Sequence, residues 1–262
     1  MRNMDDIALS SPLRYKNTTL KVILVGFALL AGLLSSSPAL PFFIMICMVL
    51  STLILGKIPL GVYFKLFIST LGFVAVSCII LAFFSLGGSE EVLLTVPFFR
   101  WEFTVTEGSA NQAILVFARS LGGISSIFFL AMTTPILELF SYFKRFSFLD
   151  IFMELTMLIY RYIFVFLSLL FSIQSAQKMR FGYHNFKSSI HSAGLLVGSL
   201  FIQTLEQGDR LYLSMNSRCY DGKLAYYDAK YKIAFSDLLL SAIFIISVSV
   251  IFVYTRGWEF FV

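Results

Sequence analysis

The chain alternates long apolar runs with short polar breaks. No Asp, Glu, Lys or Arg occurs in residues 22–56, 66–89, 120–137, 162–177, 188–205 or 238–255. A helix needs about 20 mostly apolar residues to cross the hydrocarbon core of a bilayer, so several of these windows predict membrane helices. The clearest are Leu20–Ser36, Leu40–Gly56, Tyr63–Leu86, Ala110–Pro135 and Ile233–Tyr254. The first two form a hairpin across Ser37-Pro38-Ala39-Leu40-Pro41, because paired prolines end one helix and start the next. Two further segments, 151–173 and 188–205, are apolar but carry polar groups that complicate a crossing.

Composition agrees with this pattern. The chain is 58% hydrophobic and 13% charged, against about 25% charged residues in a soluble domain. The expectation is an all-α polytopic membrane protein with about five transmembrane helices and a helical domain on the cytoplasmic side. Its parts are a four-helix membrane bundle over 1–135, a cytoplasmic or interfacial domain over 136–232, and a C-terminal transmembrane helix over 233–262. Met1-Arg2-Asn3-Met4-Asp5-Asp6 is polar and acidic, unlike the start of a secretory signal.

Charge orients the bundle. Arg2, Arg14, Lys16 and Lys21 precede or open the first apolar run, and Lys57 and Lys65 flank the third. The 87–109 loop instead holds Glu90, Glu91, Glu102 and Glu107 against Arg100 alone. Basic residues favour the cytoplasmic side, which predicts a cytoplasmic N-terminus, an outer 87–109 loop and an extracytoplasmic C-terminus in a cell (inner) membrane. Lys144 and Arg145 follow the fourth span, and residues 174–232 hold eight basic and four acidic residues, so both belong inside. Parity then requires that 151–173 and 188–205 either both cross or both stay on one side. Crossing would put Lys178, Arg180 and Lys187 in a short outer loop. Asp150, Glu154 and Arg161 also fall within about 40° of one another on a helix, and a charge at the bilayer centre costs at least about 2.5 kcal/mol. The reading favoured here keeps both segments on the cytoplasmic side.

Candidate chemistry is sparse. There is no phosphate loop, no Ser/His/Asp arrangement and no Cys-x-x-Cys, so the chain is not expected to be an enzyme or to bind a cofactor or metal. Cys47, Cys78 and Cys219 lack pairing or ligand spacing and read as packing residues. His184 and His191 read as polar surface, and the acceptor pattern Asn17-Thr18-Thr19 as a coincidence on the inner side. Arg119 is expected to snorkel or to pair inside the bundle, and Glu154 with Arg161 to form a structural charge pair. The informative residues are Arg180 and Arg218. Each reads as part of a last helical turn, with Gly182 and Gly222 as terminators. Two guanidinium forks flanking one helix suit docking on a partner's carboxylates.

These segments resemble a known family, the transmembrane T component of energy-coupling factor transporters, and in particular the CbiQ-like permeases of cobalt and nickel uptake. Gln177-Lys178-Met179-Arg180-Phe181-Gly182 resembles its first Ala-Arg-Gly-type coupling motif. Met215-Asn216-Ser217-Arg218-Cys219-Tyr220-Asp221-Gly222 resembles the second, and the trailing Tyr-Asp-Gly is similar to the cobalt branch. Leu200 to Arg210 resembles the helix leading to that motif, Thr133-Thr134-Pro135 the end of the fourth span, and Glu154 with Arg161 the helix before the first motif. Asn17-Thr18-Thr19-Leu20-Lys21 stands where the family has Asp-Pro-Arg-x-Lys, with Lys21 matching. The sequence departs at Met179, where the family has alanine, and at Phe181 and Cys219, where it has glycine.

The resemblance implies a non-catalytic permease that docks two ATP-hydrolysing subunits through Arg180 and Arg218, with Met179, Gly182, Ser217 and Tyr220 as motif neighbours. It implies a further membrane subunit that binds the substrate, of the metal-binding type, while ATP is used by the partners and no nucleic acid is involved. Cobalt or nickel is the implied cargo, and a vitamin transporter built on the same scaffold is the alternative. An intramembrane enzyme would need convergent polar residues inside the spans. A secondary transporter would show inverted repeats, and the halves of this chain show no such symmetry.

Overall fold

A computed structural model describes residues 4–83, 92–98, 101–143, 150–222 and 234–255. Glu90, Glu91, Arg100, Lys144, Arg145 and Arg2, used above in orienting the chain, lie outside these residues. The protein is a helical membrane protein with one two-stranded addition. In chain order the elements are α1 (Met4–Ser10), a 3-10 turn (Pro12–Tyr15), α2 (Thr18–Leu34), α3 (Ala39–Leu50), a π-helical turn (Ser51–Leu55), α4 (Leu60–Phe83), β1 (Val92–Phe98), β2 (Trp101–Thr106), α5 (Glu107–Thr133), α6 (Ile136–Phe143), α7 (Asp150–Met179), α8 (Phe186–Asn216) and α9 (Phe235–Tyr254).

The helix ends follow local chemistry. Asn17 caps α2 by accepting the Thr19 N–H at 2.9 Å, which gives the Asn-Thr-Thr triplet a structural role. The expected hairpin forms between α2 and α3. Its turn is held by the Ser35 hydroxyl, which donates to the Ser37 carbonyl at 2.7 Å, and Pro38 precedes α3. Pro135 separates α5 from α6. The segment read as a loop over 87–109 contains a hairpin: β1 and β2 pair antiparallel, with Phe98 opposite Trp101 and Thr95 opposite Thr104.

The chain divides into two compact units, one of Met1–Leu139 with Ala229–Val262, the other of Phe140–Asp228. In the first, α5 is the hub. Leu40, Ile44 and Met48 of α3, Val25 and Ala28 of α2, Phe129 of α5 and Val248 of α9 form one buried cluster. Ile7, Ile58, Tyr63 and Met132 form a second. The α3–α5 approach depends on small residues. Ala118, Ser125 and Ser126 of α5 are fully buried, and a Cβ on Gly122 would stand 2.9 Å from the Pro41 carbonyl oxygen. Ser125 and Ser126 turn their hydroxyls onto the Gly122 carbonyl at 2.9 and 2.8 Å, so neither buried hydroxyl is left unsatisfied. Small residues at crossings are how membrane helices approach closely without a hydrophobic drive between them. Arg119 pairs inside this unit: its Nη2 donates to the Ser35 carbonyl at 2.6 Å, at the α2–α3 turn.

In the second unit α7 and α8 are continuous helices of 30 and 31 residues, much longer than the apolar segments within them. Among the described residues, five helices are long and apolar enough to cross a membrane: Leu60–Ala82, Gly108–Thr133, Ile151–Met179, Phe186–Asn216 and Phe235–Tyr254. Three of these match expected spans. The other two are α7 and α8, while α2 and α3 are shorter apolar helices. Glu154 and Arg161, expected to pair, both lie on α7. Glu154 is buried and Arg161 exposed, and the described ion pairs are Arg14–Glu138, Lys16–Asp237 and Arg210–Glu206. The two stand on one face of α7 but about 10 Å, or two turns, apart along it.

Candidate coupling site

Two helix ends in the second unit share one backbone design. At the end of α7 the Phe181 N–H donates to the Lys178 carbonyl at 3.0 Å and the Gly182 N–H to the Gln177 carbonyl at 2.9 Å. At the end of α8 the Cys219 N–H donates to the Asn216 carbonyl at 3.1 Å and the Tyr220 N–H to the Met215 carbonyl at 3.1 Å. This is the paired bonding of a Schellman termination, formed twice in the same register. Phe181 and Cys219 are the left-handed residues of the two turns, at φ 57° and 58°. Arg180 and Arg218 each immediately precede the left-handed residue.

The expectation is corrected on three points. The arginines lie in the closing turns, just beyond α7 and α8, rather than in the last helical turns. The left-handed terminators are Phe181 and Cys219, not Gly182, although Gly222 does adopt φ +88° further on. Cys219 is exposed rather than packed. The departures from glycine at 181 and 219 therefore fall where a side chain costs most, since only glycine adopts the left-handed region freely. Cys219→Gly is expected to raise stability by up to about 1 kcal/mol, the relief being partly offset by glycine's greater unfolded freedom. Thermal unfolding in detergent measures this, and a lowered midpoint would contradict it.

Gly182 has a different task. A Cβ there would stand 2.7 Å from Ser192 Oγ and 2.9 Å from the Gln177 carbonyl oxygen. Its carbonyl accepts from Ser188 Oγ at 2.9 Å and Ser192 Oγ at 2.8 Å. The Gln177 amide donates to the Ser192 carbonyl at 2.9 Å and accepts from the Tyr183 hydroxyl at 2.7 Å. The α7–α8 elbow is thus a braced turn, and it presents Arg180 from a fixed base.

Both arginines are exposed, and no hydrogen bond or ion pair engages either guanidinium among the described residues. Met179, Phe181 and Phe186 around Arg180 are exposed at 84%, 79% and 83%. Ser217 is exposed and Tyr220 partly buried beside Arg218. His184 and His191 are exposed, and among the described residues no cluster of three or more His, Cys, Asp or Glu could hold a metal ion.

A second polar constellation, in the first unit, was not anticipated from the sequence. Lys21 is buried, and its Nζ donates to the Thr133 carbonyl at 3.0 Å and to Thr134 Oγ1 at 3.4 Å. Arg14 Nε lies 3.5 Å from Glu138 Oε1, Thr18 Oγ1 donates to Glu138 Oε2 at 3.3 Å, and Lys16 bonds Asp237. The two weaker sequence resemblances, at 17–21 and at 133–135, meet here in space.

The comparisons agree with these features. The family model described as CbiQ, cobalt transport protein, matches residues 9–227, a stretch that includes both arginine turns and the Lys21–Thr133 contact. The chain is 39% identical over 225 residues to a putative fused cobalt transport protein CbiMQ of Methanocorpusculum labreanum, covering 85% of this chain and 37% of that protein. It therefore spans well under half the length of that relative. It is 36% identical over 241 residues to an uncharacterized protein of Methanocaldococcus jannaschii, covering 92% of this chain and 89% of that one. The long apolar helices, the repeated arginine turns and these matches have one conclusion: the chain belongs to the CbiQ family of cobalt transport proteins.

Proposed function

We propose that this chain is the transmembrane permease subunit of an energy-coupling factor transporter, passing the work of ATP hydrolysis by partner subunits to the uptake of cobalt or nickel ions. The observation that carries the reading is the pair of superposable Schellman turns, each offering an unpaired arginine on a rigid base. Two ATPase subunits would each receive one guanidinium in a carboxylate-bearing groove, for which the planar fork is the suited donor. Met179, Phe181 and Phe186 would be desolvated around the first contact. The chain itself would hold no nucleotide, cofactor or cargo ion and carry out no catalysis. The cargo would bind a separate membrane subunit; the relative from Methanocorpusculum labreanum, a putative fused cobalt transport protein CbiMQ, supports such a partner.

In this reading residues 136–232 form the coupling domain and both arginine turns face the cytoplasm, with the N-terminus inside and the C-terminus outside. Crossing by α7 and α8 as a pair would leave those termini unchanged but would carry the Arg180 elbow, with Lys178 and Lys187, to the outer side. The positive-inside preference argues against that. Purification in mild detergent, with identification of the co-purifying chains, tests the assignment. An ATPase pair and a metal-binding membrane subunit are expected. A chain that purifies alone from cells expressing the whole transporter would refute it. A vitamin-binding partner in the same complex would keep the coupling role and replace the cargo.

A further inference from the structure

Arg119 is a charge within the apolar span Gly108–Thr133 of α5. Among the described residues one bond engages its guanidinium, from Nη2 to the Ser35 carbonyl at 2.6 Å. Its Nε is buried without a partner, and the described ion pairs do not include it. A carbonyl dipole compensates a full charge only in part. An ionisable residue at membrane depth is costly enough to need a partner, and the guanidinium fork suits an oxyanion.

The surroundings of Ser35 indicate which oxyanion. A cavity of about 320 Å³ is lined by Leu34, Ser35 and Ser36 at the end of α2 and by Phe252 and Thr255 at the end of α9. A water takes about 30 Å³ of liquid volume, so the cavity has room for a much larger group. Ser36 is exposed, and neither its N–H nor its hydroxyl has a partner among the described residues. The cavity wall therefore offers two unused donors, and a cation stands one hydrogen bond behind Ser35. The lining holds no carboxylate to compete for them.

Depth decides the source of the anion. All these residues belong to the unit of Met1–Leu139 with Ala229–Val262. There α2 and α9 run side by side: Lys16 bonds Asp237 at one end, Val25 and Val248 share a buried cluster, and the other ends meet at the cavity. Their 17 and 20 residues amount to about 25 and 30 Å of helix, close to the hydrocarbon thickness of about 30 Å. The cavity thus lies at headgroup depth in the leaflet opposite the Lys16–Asp237 pair. Lipid phosphates are concentrated at that level.

We propose that this cavity seats the phosphate of a phospholipid from that leaflet, held by the Ser36 N–H and hydroxyl and by Arg119. The lipid chains leave along Leu34 and Phe252. The seat neutralises Arg119 and bridges the α2–α3 turn to the end of α9. It is independent of the coupling role and needs no partner subunit.

The test uses the full chain, stripped of lipid in maltoside detergent, with thermal unfolding followed during titration. Phosphatidylglycerol is expected to raise the unfolding midpoint saturably. A galactolipid with the same chains, and inorganic phosphate, are expected to leave it nearly unchanged. Ser36→Asp puts a carboxylate at the seat without breaking a described bond, and the half-saturating phosphatidylglycerol concentration should rise by at least about tenfold, as the loss of one hydrogen bond to a charged group implies. Arg119→Gln should weaken binding similarly, and Ser36→Asp alone decides if that variant does not fold. A wild type that ignores phosphatidylglycerol, or a Ser36→Asp variant that titrates like wild type, overturns the seat. An equal rise with the galactolipid overturns it too, and an equal rise with inorganic phosphate overturns the lipid in favour of a soluble anion.

Discussion

Replacing Arg180 and Arg218 together by alanine is expected to abolish co-purification of ATPase subunits and ion uptake while leaving the protein in the membrane at wild-type level. Truncating one member of a buried, hydrogen-bonded interface charge pair costs about 2–5 kcal/mol. Even the lower figure at each of two sites weakens association by about a thousandfold. The fold should not suffer, because neither guanidinium engages a described residue. The turn-closing bonds that surround them are all backbone N–H to carbonyl. Arginine to lysine at the same positions should restore binding incompletely, since a point charge cannot reproduce a two-pronged contact. Quantified pull-down and uptake check both statements. Wild-type uptake by the double alanine variant would sink the docking role, and loss of the protein from the membrane would show that the arginines hold the fold.

Gly122→Leu is expected to destabilise the bundle by more than about 3 kcal/mol, at or beyond the upper end of ordinary overpacking. The contact it disrupts is backbone: a Cβ at 122 meets the Pro41 carbonyl oxygen at 2.9 Å and Pro41 Cα at 3.4 Å. A flexible side chain could turn aside, whereas the first turn of α3 can yield only by shifting the helix. That shift would open the cluster of Leu40, Ile44 and Met48 against Phe129. Gly123→Leu is the control, because a Cβ there meets only Leu29 Cδ2 at an ordinary 3.7 Å. Membrane accumulation and thermal unfolding in detergent should separate the two variants sharply. Equal tolerance of both would refute the close α3–α5 approach.

How far the sequence was legible depends on the range of the physics involved. Ser37-Pro38 before α3 and Pro135 after α5 announced helix ends correctly, because proline sterics act over a few residues, whereas the cap at Asn17 was not read from the sequence. Charge-free windows marked α4, α5 and α9 for the same reason. The lengths of α7 and α8 were underestimated, since polar residues such as Lys178, Glu206 and Asp209 interrupt an apolar window without interrupting a helix. The hairpin Val92–Thr106 was read as loop between two strong helical signals.

The arginine turns show both sides of this. Arg180 and Arg218 stood out by charge alone, but glycine was taken as the sign of a left-handed turn, and here Phe181 and Cys219 occupy that conformation. The contacts of Arg14, Lys16, Thr18 and Lys21 were not legible as pairs: their partners lie between 112 and 221 residues away, and nothing local distinguishes Glu138 or Asp237 from any solvated carboxylate. What the sequence determined by itself was the helical membrane character, the positions of α2 to α5 and α9 and the two arginines at helix ends, all of which follow from windows of a few to 20 residues. Only the tertiary structure decided which small residue must stay small, which residues turn left-handed, and which cations meet Glu138, Thr133 and Asp237, because each depends on how the chain packs.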